Sequence, residues 1–166
     1  INIMSRSKLP FRKKSEGFFF YKGKILAKDE GDWVRFPGGG IDPGESRLKA
    51  VKRETKEETG ATLDSCVEII TVTEYFTKEW AKGNPKRQKR YKKFQGSKIT
   101  IFVGRVKSLG KPTSDEGDAW TGKMFLPISK CIKLSEGSIH TPRLVEYRTA
   151  QIAVLKMLKN QKKFKF

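Results

Sequence analysis

The chain has 166 residues, 36% of them hydrophobic and 33% charged, which suits a globular fold with a core of its own and excludes a disordered or low-complexity chain. The lone histidine, His140, excludes a multi-histidine zinc centre and argues against a serine–histidine triad, and no apolar run approaches the roughly 20 residues that span a bilayer. The net charge of +18 sits almost wholly in three segments, residues 1–30, 78–95 and 156–166, around a balanced stretch at 42–58. That distribution fits a polyanionic partner attracted by Coulomb forces and counterion release, with a solvated, solubility-tuned surface as the bland alternative.

In chain order, residues 1–16 read as irregular and basic, without the apolar stretch of a signal peptide. Residues 17–21 and 24–27 read as two short strands around a tight turn at Lys22-Gly23, because aromatic and apolar residues cluster there. Residues 33–36 form a short alternating run stopped by Pro37 and three glycines. The clearest helix spans about 46–59, with Gly60 as its stop and Leu48, Val51 and Thr55 as its core stripe. Residues 67–76 read as a strand, 78–96 as a long polar connection, 99–106 as a strong strand, 111–122 as a loop and 124–128 as a strand or strand end. A final helix runs over about 143–158, with Leu144, Tyr147, Ile152, Leu155 and Leu158 available for packing. The class is α/β, a mixed sheet covered by helices, in one domain over 1–166 whose basic ends, 1–16 and 159–166, are open to flexibility. Cys66 and Cys131 stand at no metal-ligand spacing and read as reduced thiols of a cytoplasmic, reducing compartment.

The chemistry concentrates in one helix. Glu54, Glu57 and Glu58 fall within an arc of about 100°. Like charges one turn apart repel, and anions in a last helical turn oppose the dipole. A bound divalent cation would relieve each conflict. Oxygen ligands select magnesium, manganese or calcium over zinc, and magnesium completes its shell with water and substrate phosphate. The alternative is a solvated face of salt bridges to Lys49, Arg53 and Lys56. The preceding Gly38-Gly39-Gly40 allows close backbone approach.

The spacing Gly39, five residues, Glu45, seven residues, Arg53-Glu54, two residues, Glu57-Glu58, one residue, Gly60 resembles the signature of the Nudix (MutT-like) hydrolases over residues 39–61. Thr55 departs from it, standing where the family carries a larger apolar residue. The resemblance implies an α/β/α sandwich with a mixed sheet and a pyrophosphohydrolase that uses Mg2+, with Mn2+ as a substitute. Glu54, Glu57 and Glu58, and the Gly38 carbonyl, would then be metal ligands. Glu45 and Arg53 would hold loop and helix in register. One of the glutamates, or an acid of the 111–122 loop such as Glu116, would take the proton from the attacking water; Asp115 and Asp118 flank it, and a turn-forming acidic loop is the competing reading.

The substrate is less defined. Lys86, Arg87, Lys89, Arg90 and Lys92, interleaved with Trp80, Tyr91 and Phe94, compose a basic and aromatic surface of the kind that binds phosphates and bases, or else a solvated loop. Trp33, Phe36 and Trp120 could line a base pocket or pack internally. The first expectation is a nucleoside triphosphate or other nucleoside diphosphate derivative. The alternatives are an RNA 5′ end (a cap or triphosphate), a diphosphoinositol or dinucleoside polyphosphate, and, from another class, an inactive Nudix-fold RNA-binding module, against which the intact glutamates argue. A homodimer is compatible with the family, although no segment marks an interface.

Overall fold

The computed structural model describes residues 5–114 and 118–161. Its spine is β1 (Phe11–Tyr21), which pairs in parallel with β7 (Gly96–Leu109) from Phe11 to Phe20 and antiparallel with the short β5 (Gly38–Gly40) through Lys14, Ser15 and Glu16. β2 (Lys24–Leu26) returns antiparallel against the end of β1. With β6 (Ala61–Tyr75) outside β7 and β8 (Phe125–Leu126) outside β2, the sheet order is β6-β7-β1-β2-β8, while β3 (Lys28–Asp29) and β4 (Val34–Arg35) form a separate ribbon. The β1–β2 turn falls at Lys22 and Gly23, whose φ values of 49° and 76° match the twist of a two-residue hairpin.

The sheet is covered on both faces. Phe18 and Phe19, neighbours that point oppositely, are both 0% exposed. Phe19 packs with Val51, Ala61, Phe102 and Trp120 beneath α1 (Arg47–Thr59). Phe18 packs with Ile99, Ile101, Cys131, Tyr147 and Leu155 beneath α4 (Ile128–Gly137) and α5 (Val145–Asn160). Burial on both faces is why the strand reads as an unbroken aromatic run rather than an alternation. Each such phenylalanine contributes about 2–3 kcal/mol of apolar burial. This is the expected α/β/α sandwich around a mixed sheet.

Several expectations change. Strand β1 begins at Phe11, inside the stretch read as irregular, because Lys13 and Lys14 are carried by pairing with β7 rather than by their own propensity. Arg6 is no loose charge: its guanidinium donates to the carbonyls of Tyr91 and Phe94 at 2.7 and 2.8 Å and lies 3.5 Å over the Tyr91 ring. The polar connection contains two helices, α2 (Lys78–Ala81) and α3 (Pro85–Lys93). Their caps were legible: Thr77 accepts from the Trp80 N–H, and Asn84 accepts from the Arg87 N–H just before a proline at the first helical position. Helix α4 was missed too, although Ile128, Cys131, Ile132 and Ser135 follow helical spacing. In α1 the buried residues are Ala50, Val51, Thr55 and Thr59; Leu48, in the first turn before the core begins, is 38% exposed. The five residues named for the last helix are all buried.

Cys66 and Cys131 are free thiols. Among the described residues no helix is long and apolar enough to cross a membrane.

Candidate active site

Helix α1 is fixed at both ends. Ser46 accepts from the Lys49 N–H at 3.1 Å, and Gly60, at φ 78°, closes the last turn onto the Lys56 carbonyl. The left-handed conformation there suits glycine. The loop beyond β7 ties down the same end: the N–H groups of Thr113 and Ser114 donate to the Glu57 carbonyl, and that of Trp120 to the Glu58 carbonyl. The helix therefore presents its glutamates from a clamped terminus.

Arg53 organises those glutamates. Its guanidinium meets Glu45 through two hydrogen bonds, Glu54 at 2.8 Å, Glu57 at 3.2 Å and the Gly40 carbonyl at 3.1 Å. The Arg53 hydrogen bonds hold the Glu45 carboxyl down to about 2. Arg53 in turn is raised above its ordinary value, first by Glu45. Glu45 also accepts from the Asp42 N–H, so one carboxylate links loop to helix.

Glu58 turns the other way, into the protein. It accepts from the Gly38 N–H at 2.8 Å. Burial, and then the nearby Glu54 charge, push its carboxyl up to about 7 against the opposing Gly38 hydrogen bond and Lys14. The Trp120 indole N–H is buried and makes no hydrogen bond of ordinary geometry, yet lies near enough to Glu58 to favour its anion weakly. The glycines are required by contact: a Cβ on Gly39 would collide with the Glu54 carboxylate, and one on Gly38 with the Ser15 carbonyl and Glu16.

Among the described residues no three acidic, histidine or cysteine side chains are gathered tightly enough to chelate an ion as they stand. Arg53 draws Glu54 and Glu57 towards itself while Glu58 faces Gly38. The donor chemistry nevertheless fits a hard divalent cation. The carboxylates are crowded enough for Glu54 to disfavour the Glu58 anion, a repulsion that such an ion offsets.

These residues open into a cleft of about 1000 Å3. Gly38, Glu54, Glu57 and Glu58 line it, and so do Lys86, Arg87 and Arg90 of α3. The predicted acidic and basic groups thus share one cavity. Lys89 and Lys92 belong to the same helix but do not line the cleft and are exposed. Glu45 and Arg53 lie outside the lining and act from behind it. Glu116, with Asp115, falls outside the described residues; Asp118 lines the cleft. Of the three aromatic candidates, Trp33 and the largely buried Phe36 line the cleft, and Trp120 is a core residue outside the lining.

Residues the sequence reading passed over also line it: Arg12, Lys14 and Glu16 from β1, Glu74, and Arg143 and Arg148. The alternation of β1 places Arg12, Lys14 and Glu16 on one face, a signal visible only once residues 11–16 are known to be strand.

The sequence profile of the NUDIX domain matches residues 9–144. The chain belongs to the Nudix family. An RNA pyrophosphohydrolase of Erythrobacter litoralis (strain HTCC2594) is 47% identical over 49 residues, which is 30% of this chain and 29% of that protein. The alignment thus spans less than a third of that relative's length. Among solved structures, a Nudix hydrolase from Nitrosomonas europaea superposes with a TM-score of 0.53 at 14% identity, covering 91% of each chain. A structure described as an ADP compounds hydrolase gives 0.55 at 22% identity, covering 93% of this chain and 77% of that one. These structural likenesses carry the fold alone.

Proposed function

We propose that this Nudix chain is a magnesium-dependent hydrolase that cuts a pyrophosphate bond in a nucleoside-linked substrate by attack of water at phosphorus. The observation that carries this reading is the shared cleft, in which Glu54, Glu57 and Glu58 stand with Lys86, Arg87 and Arg90. Acidic groups suit metal ions and basic groups suit phosphates, and a pyrophosphate ester needs both.

Glu54, Glu57 and Glu58, with the Gly38 carbonyl, would hold Mg2+ or, in its place, Mn2+. Such an ion supplies charge neutralisation and acidifies bound water. The chain's own residues position: Arg53 fixes the helix face through Glu45, the glycines let backbone approach Glu54, and the basic groups hold phosphate oxygens. The proton acceptor comes from the glutamates or from an acid of the 111–122 loop, with Glu116 as the candidate there.

A second reading, hydrolysis of an RNA 5′ end, draws on α3. That helix puts Arg87 and Arg90 into the cleft and sets Arg87 5.4 Å over the neighbouring Trp80 ring, the pairing of cation and aromatic plane used for single-stranded nucleic acid. The test is a panel of nucleoside triphosphates, nucleoside diphosphate derivatives, and triphosphorylated and capped RNA, assayed with Mg2+ in 18O-labelled water. Monophosphate-type products with label on phosphorus are expected. No turnover of any member with Mg2+ or Mn2+ would contradict the reading.

A further inference from the structure

Besides Arg35, which is paired with Glu30 at 3.0 Å, the cleft holds five guanidinium groups: Arg12 from β1, Arg87 and Arg90 from α3, Arg143 from the turn before α5, and Arg148 from α5 itself. They disfavour one another. Burial lowers the pKa of Arg12, and Arg90 lowers it further, against the weaker pull of Glu74 and Glu54. Burial does the same to Arg143, opposed by Glu74 and reinforced by repulsion from Arg87 and Arg148. Among the described residues one carboxylate comes within ion-pair distance of any of them, Glu74, 3.7 Å from Arg143 Nη1. Glu16 is close enough to feel Arg148 but forms no ion pair with it.

Two donors of this cluster are buried without a hydrogen-bond partner, Arg143 Nη1 and Arg148 Nε. Arg148 is 5% exposed and lies beside the Trp33 and Tyr147 rings, with its Nη1 spent on Gln151 at 2.7 Å. Unsatisfied charged donors in a low-dielectric site are costly, so a solvated-surface explanation does not serve here. An anion entering the cleft would satisfy both donors and screen the repulsion. The guanidinium fork fits phosphate oxygens in particular. Beside the cluster, Trp80 stacks on Phe76 at 4.1 Å with Arg87 and Arg143 over its ring, so aromatic and cationic groups together wall this end of the cleft.

We propose that Arg12, Arg87, Arg90, Arg143 and Arg148 form a subsite for a phosphate group of the ligand other than the two joined by the scissile anhydride. The word substrate rests on the hydrolytic reading above; the phosphate subsite does not. A ligand with an extra phosphate is therefore preferred to a simple mononucleotide. That phosphate is either a monoester on a nucleotide or a phosphodiester in an oligonucleotide.

The test is calorimetric titration of the full chain in EDTA, which reads binding whether or not the chain hydrolyses anything. The probes are AMP, adenosine 3′,5′-bisphosphate and the dinucleotide pApA. A ligand with the second phosphate should bind about tenfold more tightly than AMP. Arg143→Gln and Arg87→Gln should each reduce that advantage to about twofold or less, with melting temperature confirming the fold; neither side chain is fully buried, so the test does not depend on Arg148→Gln folding. Preference for pApA over the bisphosphate marks a chain phosphodiester as the recognised group, and the reverse marks a terminal phosphate. Equal affinity of all three probes in the wild type, or an advantage undiminished in both variants, overturns the proposal.

Discussion

Arg53 and Glu45 are joined by two hydrogen bonds between charged groups, Nε to Oε2 at 2.8 Å and Nη2 to Oε1 at 2.9 Å. The same guanidinium reaches Glu54, Glu57 and the Gly40 carbonyl. No compact ammonium can reproduce that fork. Arg53→Lys should therefore keep the fold and lose about 10- to 100-fold in kcat/KM with Mg2+, the usual cost of removing a group that orients metal ligands. Wild-type kinetics in a folded Arg53→Lys chain would show that the fork positions nothing.

Thr55 is fully buried, and its hydroxyl has no hydrogen-bond partner. Valine has nearly the same shape without the unsatisfied group. Thr55→Val should stabilise the chain by about 1 kcal/mol, read as a rise of roughly 2–4 °C in melting temperature. A lower melting temperature would mean that the hydroxyl is satisfied in solution.

Glu16 is 2% exposed, and burial raises its carboxyl above the ordinary value of 4.5. Around it stand Lys14, Tyr147, Arg148, Gln151 and Glu74. A carboxyl with a raised folded-state value contributes stability below its unfolded value and loses it as pH rises through the folded one. The melting temperature of the wild type should accordingly fall relative to Glu16→Gln as pH rises above the ordinary carboxyl value of 4.5. Parallel melting curves for the two chains above that value would count against a buried, neutral Glu16.

What could be read in advance divides along physical lines. Helix α1 was legible because its cap at Ser46, its stop at Gly60 and its glutamate spacing are local. The β1–β2 hairpin was legible for the same reason, through Lys22-Gly23. The first half of β1 was not, because Arg12, Lys13 and Lys14 become strand only by pairing with β7, about 85 residues away. The missed strand hid Arg12, Lys14 and Glu16 from the site. Arg143 and Arg148 were hidden differently: the helical stretch from about 143 was recognised, but the turn that carries Arg143 and the face of α5 that carries Arg148 meet the cleft only through the sandwich. Lys89 and Lys92 went the other way, since composition named the basic segment while the helical turn of α3 decided which cations enter the cavity.

The central claim is that the glutamates of α1 carry a metal-dependent hydrolysis of pyrophosphate. Its most direct test is the rate of monophosphate release from the preferred member of the substrate panel, with Mg2+, by the wild type, Glu57→Gln and Glu58→Gln. The account predicts turnover by the wild type and loss of at least about two orders of magnitude in each variant, with melting temperature confirming that both remain folded. Undiminished turnover in both variants would contradict it.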